Sequence, residues 1–182
     1  MAEPVRRPGR PRAVGVVAAV VAVAVALGVV APAGAAPGCL RPPAVAPIVD
    51  RFRDPPCAWC AGNRGLQYAV AAGTPVRAAA AGTVTFAGRV AGVRYVVVAH
   101  ADGLRATYGG LASSPRSIGD RVPAGAVVGV SGDGLHFGIR RGDVYLDPEP
   151  MLGELRRRPR LVPIDGTAPR HAPPPVLRCR AG

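Results

Sequence analysis

Past residue 35, this chain carries no apolar stripe of helical period longer than about ten residues. Its apolar residues fall instead in short β-branched runs closed by glycine, proline and aspartate. Such a chain cannot bury itself as a helical bundle, and it lacks the helical segments that parallel βαβ units require. The pattern predicts an all-β domain over residues 45–151, a small antiparallel folded sheet or sandwich. Aromatic residues are only 4% of the chain, so Val, Ala, Leu and Ile must supply most of the core.

The runs can be placed one by one. Gly82-Thr83-Val84-Thr85-Phe86-Ala87-Gly88 alternates and puts Val84 and Phe86 on one face. Arg94 to His100 is β-branched and aromatic, Leu104 to Tyr108 returns, and Asp102-Gly103 between them signals a hairpin. Ala126–Val130 and Leu135–Arg140 read as two further strands, with His136 on the face opposite Leu135, Phe137 and Ile139. Glycines 119 and 125 with Pro123 mark the connection before them as turn-rich.

The N-terminus reads as a sorting signal. Four arginines within Met1–Arg12 precede an uncharged apolar run, residues 13–31, and Ala33-Gly34-Ala35 fits a small-x-small cleavage site. Residues 1–35 are therefore expected to be a signal peptide, with 36–44 as a linker. The run of 19 residues approaches the ~20 that span a bilayer, so an uncleaved membrane anchor is the alternative. Both readings place the folded part outside the cytoplasm, secreted or in the cell envelope.

Export makes disulfides the default state of Cys39, Cys57, Cys60 and Cys179, and four cysteines allow three pairings. Cys57-Ala58-Trp59-Cys60 has the spacing of a redox motif. It lies between Pro55-Pro56 and Gly62-Asn63-Arg64-Gly65, which is loop chemistry and favours a structural bridge. A zinc site there would need a second matching pair, which is missing.

All 23 basic residues are arginine, against 11 acidic residues, for a formal charge of +12. Residues 152–182 hold seven arginines against Glu154 and Asp165, together with Pro159, Pro163, Pro169 and Pro173–Pro175. This basic Pro-rich tail is expected to be extended and poorly packed, and to be either solvated or attracted to anionic envelope polymers. Nucleic acid is not expected as a partner, because the chain has an export signal and lacks both a stacking platform and a recognition helix.

In order along the chain, Asn63–Ala69, Gly73-Thr74-Pro75-Val76, Ala80–Val84, Val97–His100, Asp102-Gly103, Thr107-Tyr108, Gly119–Val122, Leu135-His136-Phe137 and Asp147-Pro148 resemble the lysostaphin/LytM-type zinc metalloendopeptidases. The resemblance implies the duplicated-hybrid-motif type of β fold and a domain that works on, or docks to, peptidoglycan peptides. It also locates the chemistry. Active members bind zinc through a histidine and, four residues on, an aspartate. Asn63 and Gln67 stand there. The third ligand is the second histidine of a His-x-His strand, here His136. The two catalytic histidine positions are taken by Gly110 and Gly134.

Neutral amides are poor zinc ligands, and glycine can neither move a proton nor steady an oxyanion. The chain has three histidines in all, one of them His171 in the tail. The expectation is thus a degenerate member with no cofactor, leaning away from enzyme activity. Asn63, Gln67, His136 and Tyr108 would line a groove that binds peptidoglycan or another anionic wall polymer, or serves to regulate a wall hydrolase. Membrane contact would come only through an uncleaved N-terminal segment. The alternatives are an active zinc endopeptidase with substituted ligands, and a structural, disulfide-stapled envelope module. His100 is expected to be a strand-end residue without a role in metal binding.

Overall fold

The computed structural model describes residues 39–57, 59–157, 159, 164 and 171–179. The expected signal segment, residues 1–35, lies outside these. Eleven strands run through the described residues: β1 Ile48–Asp50, β2 Leu66–Tyr68, β3 Pro75–Arg77, β4 Gly82–Val90, β5 Val93–Ala99, β6 Leu104–Ser113, β7 Arg121–Val122, β8 Val127–Arg141, β9 Val144–Leu146, β10 Glu154–Arg156 and β11 Val176–Arg178. The one helical segment among the described residues is a 3₁₀ turn, Glu149–Met151. No helix among them is long and apolar enough to cross a membrane.

Nine strands form one antiparallel sheet in the order β1-β2-β8-β6-β5-β4-β7, with β3 and β9 also paired to β8. The all-β expectation is thus met. The Asp102-Gly103 hairpin is present: the amide of His100 donates to the carbonyl of Leu104, and the Leu104 amide donates to Asp102 Oδ1. Ala91-Gly92 closes β4 onto β5 with both residues at positive φ, 47° and 83°. This is the twist that a two-residue hairpin favours.

One face of the sheet is the core. Leu66, Val76, Val84, Val96, Val98, Ala106, Tyr108, Val128, Leu135, Phe137 and Ile139 are all essentially inaccessible. Each large apolar side chain so buried contributes roughly 1.5–3 kcal/mol relative to exposure. Tyr108 and Phe137 pack at 5.4 Å between ring centroids. The Ala79 amide donates to the Tyr108 hydroxyl at 2.7 Å, which satisfies both groups away from water.

The register differs from simple alternation in two places. A β-bulge at Thr85 separates Val84, opposite Val98, from Phe86, opposite Val97. Val84 and Phe86 therefore lie on opposite faces, because one extra residue reverses the side-chain order beyond it. Second, the two strands expected over residues 126–140 are a single strand, β8. Ser131-Gly132-Asp133-Gly134 has turn composition, yet the chain continues through it. Leu111 pairs with Ser131 and Gly109 with His136, so residues 132–135 bulge against Gly110.

The ends also depart from expectation. Leu40, Pro43 and Ala44 of the expected linker are buried, and Leu40 bridges to Leu152. The described part of the tail is anchored: Leu152 is buried, β10 pairs with β11, and Cys39 is disulfide-bonded to Cys179. Cys57 is bonded to Cys60, which settles the pairing that sequence left open.

Candidate functional site

Asn63 is positioned by a loop that closes on itself. Its backbone exchanges two hydrogen bonds with Arg53, each 2.9 Å, and the Cys57–Cys60 bridge braces the turn between them. The residue is 6% exposed, and its Nδ2 donates to the carbonyl of Arg51 at 3.0 Å. That bond fixes the amide, so the Asn63 oxygen faces inward. Gln67 Nε2 donates to this oxygen at 3.5 Å and to His136 Nδ1 at 2.8 Å. Gln67 and His136 are directly opposed on β2 and β8, which brings their side chains together on one face.

The protonation state follows from the donors. Gln67 Nε2 carries only hydrogens to give, so His136 Nδ1 accepts and its proton sits on Nε2. Burial pushes the His136 pKa below its ordinary value, which also favours the neutral ring. A zinc ion held by Asn63, Gln67 and His136 would need the Nδ1 lone pair and the Asn63 oxygen, and both already point at the Gln67 amide nitrogen. The donor set as hydrogen-bonded does not fit zinc. Among the described residues, no group of three His, Cys, Asp or Glu side chains converges elsewhere to replace it.

A groove of about 740 Å³ opens beside this cluster, lined by Gln67, His136, Val93, Tyr95, Asp133 and Gly134 among others. Gly110 and Gly134 lie at one end with φ of 80° and 88°. Both are in the left-handed region that side chains beyond glycine rarely adopt. A Cβ on Gly110 would also sit 3.2 Å from the Gly134 carbonyl oxygen.

Sequence reading placed Tyr108 in the groove. It is instead on the core face, fully buried between β5 and β8 opposite Val96 and Phe137. The bulge at Gly110 breaks the alternation that would have put Tyr108 and Gly110 on one face. Tyr95 was missed and is the aromatic wall of the groove; Gly109 admits its ring by having no side chain. Its place opposite the Thr107-Tyr108 strand, with period-two alternation, was the available signal. His100 is a strand-end residue whose Nδ1 lies 2.8 Å from the Ala81 carbonyl.

The nine-stranded antiparallel sheet, with a groove beside the paired β2 and β8 side chains, has the fold of LytM-type metallopeptidase domains. Residues 61–148 match Peptidase family M23, and the chain therefore carries a domain of that family. It is 37% identical over 139 residues to the uncharacterized protein Rv2891 of Mycobacterium tuberculosis, covering 69% of this chain and 53% of the relative. It is 41% identical over 94 residues to the DD-carboxypeptidase/endopeptidase Mpg of Neisseria gonorrhoeae, covering 47% of this chain and 22% of that one. The chain thus spans about half or less of the curated relatives it matches. Among solved structures, Helicobacter pylori Csd3 aligns with a TM-score of 0.56 at 25% identity, over 63% of this chain and 35% of Csd3. The catalytic domain of lysostaphin from Staphylococcus simulans shares the fold, with a TM-score of 0.53 at 24% identity over 58% of this chain and 90% of that domain.

Proposed function

We propose that this chain is an exported, catalytically degenerate M23-type domain that binds peptidoglycan or regulates a wall hydrolase. One observation carries the reading. The Gln67 amide nitrogen occupies the point on which Asn63 Oδ1 and His136 Nδ1 converge, 2.8 Å from the imidazole. The cluster satisfies itself without an ion. Without a bound Lewis acid, no water at the site is brought to a pKa near ~7, and no hydroxide nucleophile forms. Gly110 and Gly134 add no general acid or base. The groove persists beside the cluster, lined by Gln67, the imidazole of His136 and the ring of Tyr95, a surface on which a peptide could lie.

A second reading, an active zinc endopeptidase, draws on the 41% identity to the peptidase Mpg. The two are separated by the zinc content of the purified protein and its action on isolated peptidoglycan. The proposal expects well under one equivalent of zinc, retention on peptidoglycan in a sedimentation assay, and no released peptides. Near-stoichiometric zinc with peptide release would overturn it. A folded protein that neither binds nor cleaves the wall would leave the structural-module alternative.

A further inference from the structure

The bulge at Thr85 has a second effect. It turns Phe86 outward, onto the face that carries Tyr95 and Val97. With Thr107, Arg105 and Arg140 these residues line a second groove of about 370 Å³. Tyr95 belongs to both grooves, so the second continues the first across the outer face of the sheet.

Arg105 on β6 and Arg140 on β8 are directly opposed in the antiparallel ladder. Directly opposed residues project to the same side at about 5 Å, and like charges so placed destabilise the pair. Among the described residues neither guanidinium is in an ion pair, and no carboxylate lines the groove. Two unneutralised forks therefore stand together at the end of an apolar floor. Guanidinium presents parallel N–H donors that match a carboxylate, and two such groups can share one anion.

We infer that Arg105 and Arg140 form a carboxylate clamp, which receives the free carboxyl end of an extended peptide whose neighbouring aliphatic side chain lies on Phe86 and Val97. The peptide backbone would cross Tyr95 towards Gln67 and His136. A peptide suits the site better than a bare anion, because Phe86, Tyr95 and Val97 would remain wet beneath a small ion. The choice of peptide rests on the wall-binding reading above; the clamp itself rests on the opposed arginines and the floor.

The test is a titration of the full-length protein with trialanine and with trialanine amide, read from the amide NMR shifts of Thr107 and Arg140. The carboxylate form should bind about tenfold more tightly, as a charge-assisted pair requires. R105Q/R140Q should bring the ratio to about one. Equal binding of the two peptides to the wild type would overturn the clamp, and needs no variant to fold. So would a preference that survives in R105Q/R140Q, or inorganic phosphate binding as tightly as trialanine. The two proposals fail separately. Protein that shows the peptide preference but does not sediment with purified peptidoglycan would overturn the wall reading alone. Protein that sediments but shows no preference would overturn the clamp alone.

Discussion

Gln67 Nε2 donates to His136 Nδ1 at 2.8 Å across the β2–β8 ladder, and this bond takes the lone pair that a metal would need. Replacing Gln67 by Asp and Asn63 by His would supply a carboxylate and a second imidazole. N63H/Q67D should bind zinc at least about tenfold more tightly than the wild type, as two good donors replace two poor ones. It should still release no peptide from the wall, because Gly110 and Gly134 are unchanged. Elemental analysis after dialysis checks the first statement and a peptidoglycan digestion the second. Hydrolysis by the double variant would show that those glycine positions are not required.

The buried imidazole makes stability depend on pH. Folding lowers the His136 pKa below 6.5, so the unfolded chain binds the proton more readily. The contribution is complete above the unfolded value and is lost as pH falls towards and through the folded one. The melting temperature should therefore decline on acidification from about pH 7 to about pH 5. H136Q should flatten that decline. Asp50, whose pKa Arg53 holds below 3.8, acts only at lower pH and does not confuse the window. An identical pH slope in H136Q would remove His136 as the cause.

Alanine at the two groove glycines should separate two costs. Gly110 and Gly134 both have positive φ, so each substitution strains the backbone by about 1 kcal/mol or more. At Gly110 the new Cβ would also press on the Gly134 carbonyl, whereas at Gly134 the nearest atom is 3.6 Å away. Denaturant unfolding should rank G110A as the less stable. The reverse order would contradict the geometry of the β6–β8 bulge.

The two disulfides should differ in weight. Cys39 and Cys179 are 140 residues apart, Cys57 and Cys60 only three. Chain entropy alone gives about 5 kcal/mol for the long loop and about 2 for the short one. C39S/C179S should therefore lower the melting temperature more than C57S/C60S. Equal losses would point to a loop around Asn63 that matters for folding beyond its length.

Removing the Tyr108 hydroxyl should leave the Ala79 amide buried without a partner. Y108F should cost about 1–3 kcal/mol in thermal unfolding, with the fold retained. An unchanged melting temperature would mean that water reaches this amide.

The sheet was legible because alternation and glycine turns are local signals. Val96 and Val98, the Asp102-Gly103 hairpin and the run Leu135, Phe137, Ile139 lie where their spacing put them. The cluster of Asn63, Gln67 and His136 was legible only through the family resemblance, since nothing in their spacing brings position 136 to position 67. Bulges were the blind spot. One extra residue at Thr85, or residues 132–135 set against Gly110 alone, reverses faces, and the alternation within one strand does not show how its partner pairs with it. That is why Phe86 and Tyr108 were each placed on the wrong side.

By itself the sequence determined the class of fold and which side chains are absent from the site. Both follow from composition and order, since no folding can turn Gly110, Gly134 or Gln67 into a proton shuttle or an anionic ligand. The tertiary structure decided how the remaining groups satisfy one another. Pairing of β2 with β8 joined Gln67 to His136, and the β6–β8 ladder set Arg105 against Arg140. The path of the chain ends brought Cys39 to Cys179. Those partners are far apart along the chain, and only the long-range register of the sheet, fixed by burying one apolar face, brings them within reach.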